Sequence, residues 1–227
     1  MTEGDVAGIV FLSLKVSAAA MLFAVPIAFA VAWVLARYEF AGKSLLQALV
    51  TLPLVMPPVV TGYFLLVLFG VNGFLGRAFG AAGIEFAFRW EGAALAAGVM
   101  AFPLLVRPMR LSIEALDRGL EEAAATLGAG RMTRLFTITL PLVLPGVIAG
   151  AVLGFAKALG EFGATITFVS NIPGETQTLS LAIYSLLQSP AGDRAMATLI
   201  AISACLAIGS VLVSEWVGRR IGQRGRR

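Results

Sequence analysis

Two sets of residues in this sequence have types and spacing suited to chemistry. The first lies in Glu121 to Pro141, EEAAATLGAGRMTRLFTITLP, a polar passage between two long apolar runs. Ala123, Ala124 and Ala125 are strong helix formers with little bulk, and Glu121 and Glu122 suit the positive end of a helix dipole. Gly128 falls where a residue just past a helix adopts positive φ, and Arg131 and Arg134 follow at the electronegative end. The pattern predicts a short helix with a sharp stop, whose alanine face lets its backbone press into a partner's groove. Its chemistry is docking, not bond making. Glu122-Ala123-Ala124 alone is a common tripeptide and reads as an ordinary amphipathic surface helix between two spans.

The second set is Lys157 and Glu161, four apart near the far end of an apolar run and so placed to share a helix face. Charges inside a bilayer face a cavity or each other, because lipid exposure at mid-depth costs about 2.5 to 3.5 kcal/mol. The pair reads as part of a path for a charged solute or, equally, as a structural ion pair. Thr61 and Tyr63 offer hydroxyls to a dianion on such a path, beside Pro57 and Pro58.

Several chemistries are excluded. The chain has no histidine and one cysteine, Cys205, inside an apolar run. A Ser-His-Asp or Cys-His apparatus, a Cys/His zinc or haem site and an internal disulfide are therefore ruled out. Gly42-Lys43-Ser44 ends like a phosphate-binding loop, but Arg37 stands where that loop needs its first glycine, and no strand precedes it. No cofactor is expected, and the protein is not expected to be catalytic itself.

The elements that must position these residues follow from composition. Of 227 residues 59% are hydrophobic and 13% charged, and the mean hydropathy is +0.91, which defines an integral membrane protein. Long apolar runs without period-two alternation make the spans helical and exclude an outer-membrane barrel. Five spans are expected, over about 8–36, 45–69, 92–113, 135–158 and 195–217, with a helix over about 118–127 and a basic tail over 218–227. Pro26 suggests a kink or a hinge in the first span. Pro53, Pro57 and Pro58 break the second, either to line a pathway or to pack a kink. Thr178 to Gln188 is too short to span and reads as an amphipathic helix at the outer surface. With Glu3 and Asp5 at the start and a long first apolar run, no cleavable signal peptide is expected.

Charge sets the orientation. Arg37 and Lys43, then Arg107, Arg110, Arg118, Arg131 and Arg134, then Arg219, Arg220, Arg224, Arg226 and Arg227 fall on one side, twelve of the 17 basic residues. The positive-inside rule puts that side in the cytoplasm, with the N-terminus out and the C-terminus in. This topology accounts for the basic tail, and no nucleic-acid partner is expected.

In the polar passage, Glu122-Ala123-Ala124, three residues, Gly128, nine residues, Ile138, one residue and Leu140-Pro141 follow a pattern that resembles the EAA loop of ATP-binding-cassette (ABC) importer permeases. Four further stretches, SLKVS from Ser13, LPLVMPPVVTGY from Leu52, LGAGRMTRLFTITLPL from Leu127 and LGEFGATITFVSNIPGET from Leu159, are similar to the molybdate permease family of that class. The resemblance covers nearly the whole chain. It implies a type I importer permease (MetI-like) fold over 8–217 in a bacterial inner membrane. It further implies a homodimeric pore, two cytoplasmic cassette ATPase subunits and a periplasmic molybdate-binding protein. Glu121, Glu122, Ala123, Ala124, Leu127, Gly128 and Arg131 would take the ATPase contact. Alternating access would follow, the ATPases driving and the spans tilting. Some relatives carry an extra N-terminal span that this sequence lacks. The alternatives are a permease for sulfate, tungstate or another oxyanion and, more remotely, an ATPase-independent channel or secondary transporter; for an intramembrane enzyme, histidine, an activated nucleophile and a metal cluster are missing.

Overall fold

The computed structural model describes residues 3–188 and 193–224, and every regular element among them is helical. Helix α1 (Glu3–Arg37) lies against α5 (Trp90–Glu114) along a seam of small residues. Ala20, Ala24, Ala28 and Ala32 recur every fourth residue on α1 and are buried, and Ala93, Ala97 and Ala101 do the same on α5. In a bilayer, lipid tails are as apolar as leucine, so helices associate by close packing, and small side chains let two backbones approach. Pro26 lies inside α1 without ending it.

The next seam joins α5 to α8 (Leu140–Leu159) through Gly146, Gly150 and Gly154, a repeat of glycine every fourth residue. A Cβ on Gly146 would stand 2.0 Å from Ser112 Oγ, one on Gly150 3.0 Å from the Leu105 carbonyl, and one on Gly154 2.6 Å from Leu105 Cδ2. Helix α8 is the longer part of a 29-residue helical run, Arg131–Leu159, that begins with α7 (Arg131–Arg134) and a π-helical turn, Leu135–Thr139. Pro141 explains the π turn. A proline lacks the N–H that would bond four residues back, and its ring crowds that carbonyl; one widened turn relieves both.

The expected second span, 45–69, is not one helix. It is α2 (Lys43–Val55) and α3 (Pro58–Phe69), bent by 116°. Met56 and Pro57 each precede a proline, which pushes both out of the helical region, and both are extended, with ψ of 146° and 131°. Pro58 then sits in the first turn of α3, where it costs nothing. Counting the bent pair as one, five candidate spans are present among the described residues.

The remaining elements fill the side opposite Arg37. Helix α4 (Phe74–Gly80) folds over Phe69, and Phe86 meets Phe69 and Phe79 edge-on at 5.4 Å. Helix α9 (Gly163–Val169) packs on α3, where a Cβ on Gly62 would lie 2.5 Å from the Ala164 carbonyl. Helix α10 (Leu179–Leu187) buries Leu179 and Ala182 with Ile9 and Leu199 of the bundle. Its first N–H donates to Ser13 Oγ at 2.8 Å, so it is tied into α1 as well as amphipathic. Helix α11 (Asp193–Arg224) closes the bundle and continues through the first part of the basic stretch; residues 225–227 of that stretch lie outside the described residues.

Candidate coupling site

Helix α6 (Arg118–Thr126) stands between α5 and α7 at the end of the bundle that carries Arg37. Nine residues form a marginal helix in isolation, so its ends must be fixed. Asp117 caps the start, its Oδ1 accepting from the Gly119 N–H at 2.8 Å. At the far end the Gly128 N–H donates to the Ala125 carbonyl at 3.0 Å and the Ala129 N–H to the Ala124 carbonyl at 2.9 Å. These two bonds form a Schellman stop, and it requires the φ of +85° that Gly128 adopts. A Cβ there would touch nothing within 4 Å, so the backbone angle, not crowding, calls for glycine.

Glu122, Ala123, Ala125, Leu127 and Arg131 are exposed, Ala124 is half-buried, and Leu127 is 88% exposed. Leu120, Met132 and Phe136 are exposed beside them, giving the polar helix an apolar border. Among the described residues, no three His, Cys, Asp or Glu side chains cluster to hold a metal.

Glu121 differs from its neighbours. Its Oε1 accepts from Arg37 Nη2 at 2.9 Å and from Thr139 Oγ1 at 2.6 Å, and its carbonyl accepts from Arg134 Nη1 at 3.3 Å. Arg37, just past the expected first span over 8–36, ends α1 and lies 5.1 Å over the Trp33 ring. Arg134, expected at the electronegative end of the short helix, reaches back to its first half. Sequence reasoning missed Arg37 and Thr139 as partners of this helix, because they are 84 and 18 residues from Glu121. The one available signal was Pro141, which marks the π turn that aims Thr139.

The candidate path residues fall into separate places. Lys157 and Glu161 pair at 2.5 Å, but not along one helix: α8 ends at Leu159, and Glu161 lies in the corner before α9. Glu161 is 3% exposed, and its second oxygen accepts from the Ala164 N–H at 3.0 Å, so it caps α9 while holding Lys157. Thr61 is 6% exposed with a hydroxyl that has no hydrogen-bond partner among the described residues, whereas Tyr63 is 57% exposed; two residues apart on a helix, they face different ways. Pro57 and Pro58 form the exposed corner between α2 and α3, and Pro58 lies against Gly163.

Small-residue seams, a broken second span and a capped polar helix at one end describe a bundle of membrane-spanning helices with one short helix outside its spans. The chain belongs to the family of binding-protein-dependent transport system inner membrane components, whose model matches residues 24–224. It is 57% identical over 219 residues to the molybdenum transport system permease protein ModB of Escherichia coli K12, covering 96% of each chain. The ModB of Haemophilus influenzae is 54% identical, covering 94% of this chain and 93% of that one. The sulfate transport system permease protein CysT of Salmonella typhimurium is 38% identical, covering 84% and 70%. Among solved structures, a bacterial ABC transporter involved in alginate import superposes with a TM-score of 0.74 at 21% identity, covering 97% of this chain and 81% of that one. The MetNI methionine ABC transporter in an inward-facing form gives 0.71 at 16%, covering 97% and 99%. These two likenesses establish a shared fold.

Proposed function

We propose that this chain is the pore-forming permease subunit of an ATP-driven molybdate importer. The observation that carries the reading is 57% identity to a molybdenum permease over 96% of the chain, against 38% to a sulfate permease. Two copies would form the pore, two cassette ATPases would dock on α6, and a periplasmic binding protein would deliver the anion. The basic-residue asymmetry supports an outward N-terminus and a cytoplasmic α6. With Gly128 stopping the helix and Glu122, Ala123 and Leu127 exposed, α6 offers a low-relief face to a socket. ATP binding would draw the ATPases together, carry α6 with them and tilt the spans; hydrolysis would reset them.

Thr61 is the path residue whose chemistry fits an oxyanion, a buried hydroxyl with a spare donor. Lys157 and Glu161 instead hold the corner between α8 and α9. The test is molybdate uptake into proteoliposomes containing this chain, its ATPase and its binding protein. Uptake is expected to require ATP, to resist excess sulfate, and to fall on Thr61→Val. Glu161→Gln is expected to lower the amount of assembled transporter while uptake per transporter stays level. Uptake without ATP, or abolished by equimolar sulfate, contradicts the functional reading; normal uptake by Thr61→Val removes that residue from the path.

A further inference from the structure

We propose that Glu121 is the joint through which α6 pulls on the membrane spans, leaving the exposed Glu122 and alanine face to the partner. This rests on the coupling function proposed above and assigns the mechanical link inside this chain. Helix α6 is short and joined to its neighbours by turns at both ends, so its covalent connections transmit force poorly. Among the described residues, the side-chain hydrogen bonds that reach it from other elements converge on one residue. Arg37 at the end of α1 and Thr139 at the base of the α8 run both donate to Glu121 Oε1. Arg134 holds the backbone carbonyl of the same residue, so side chain and main chain are both held.

The joint is sheltered. The Arg37 and Glu121 side chains are 11% and 21% exposed, and Thr139 is buried. Charge-assisted bonds in such surroundings are stronger and less screened than surface pairs, and Arg37 is further steadied by the Trp33 ring. The π turn adds direction. Widening one turn shifts the following residues around the axis, and Thr139, its last residue, presents its hydroxyl to Glu121. A displacement of α6 therefore acts at once on α1, which packs on α5, and on α8, which packs on both α1 and α5.

The experiment uses the full transporter in proteoliposomes and measures three things: ATPase co-purified per permease, ATP hydrolysed, and molybdate taken up per ATP. Arg37→Met and Glu121→Gln are expected to keep the ATPase bound and hydrolysing, while molybdate per ATP falls roughly 5- to 10-fold, the low end of ordinary coupling free energies. Thr139→Val, which removes only the hydroxyl, is expected to lower the ratio by a smaller factor, about 2-fold. The double exchange Arg37→Glu with Glu121→Arg is expected to recover most of the loss. A ratio unchanged in all three single variants overturns the joint, as does uptake that falls only in step with the amount of assembled complex. If the unaltered assembly itself shows no ATP-dependent uptake, the coupling function fails and the joint with it. If it transports normally and all three single variants keep its ratio, the joint alone fails.

Discussion

Gly128→Val is expected to abolish ATP-dependent uptake while leaving the membrane bundle assembled. The reason is the φ of +85° at this position, which carries the two bonds from Gly128 and Ala129 back to Ala125 and Ala124. A non-glycine residue in the left-handed region costs about 1 to 2 kcal/mol, and β-branching raises that. The nine-residue α6 has no long body over which to spread the cost, so its last turn melts and Leu127, 88% exposed, loses its position. A docking loss of about 2 kcal/mol corresponds to roughly 30-fold in occupancy of the partner site. Since a Cβ at 128 meets no atom within 4 Å, the substitution does not disturb the rest of the chain. Gly128→Asn, which tolerates the left-handed region, is expected to retain much of the uptake. Ala124→Trp is expected to resemble the valine variant through bulk on the docking face. Pull-down of the ATPase on the detergent-extracted permease checks all three, and normal ATPase recovery with Gly128→Val contradicts the role given to the stop.

Gly146→Leu is expected to stop the chain accumulating in the membrane altogether. Its Cβ alone would stand 2.0 Å from Ser112 Oγ and 2.7 Å from the Pro108 carbonyl, and a backbone carbonyl within a seam does not move aside. Overpacking a filled interface costs typically about 1 to 3 kcal/mol and more where the neighbour is main chain. The damage spreads because Gly150 and Gly154 lie on the same seam, so one bulky residue lifts α8 from α5 along its length. Gly209 on α11, where an added Cβ meets nothing within 4 Å, is the internal control: Gly209→Leu is expected to accumulate normally. Membrane yield and a monodisperse size-exclusion profile provide the readout. Equal yields for the two leucine variants contradict the packing described for α8.

What the sequence made legible was whatever rests on local pattern. Apolar runs announce the spans, and the run of alanines ending at Gly128 announces α6 and its stop. The adjacent prolines announce that the second span breaks, yet the 116° corner depends on Met56 and Pro57 both being extended, which a proline count does not supply. Lys157 and Glu161 were legible as a pair and misplaced as helical neighbours, because the helix was assumed to pass Gly160, where it stops. The glycine repeat 146, 150, 154 is a local pattern that marks a packing face on α8. The grip of Arg37 on Glu121 was not legible at all. A contact across 84 residues depends on which spans the small-residue seams bring together, and only the assembled fold shows that.

Coupling through α6 requires that it face the cytoplasm and be covered there by the ATPase. The direct measurement places a thiol at Ala123 by Ala123→Cys in a Cys205→Ser background and exposes it to a membrane-impermeant reagent in spheroplasts and in inverted membrane vesicles. Labelling is expected in the inverted vesicles only, and is expected to be lost when the ATPase is bound. Labelling from the outside of spheroplasts, or equal labelling with and without the ATPase, contradicts that arrangement.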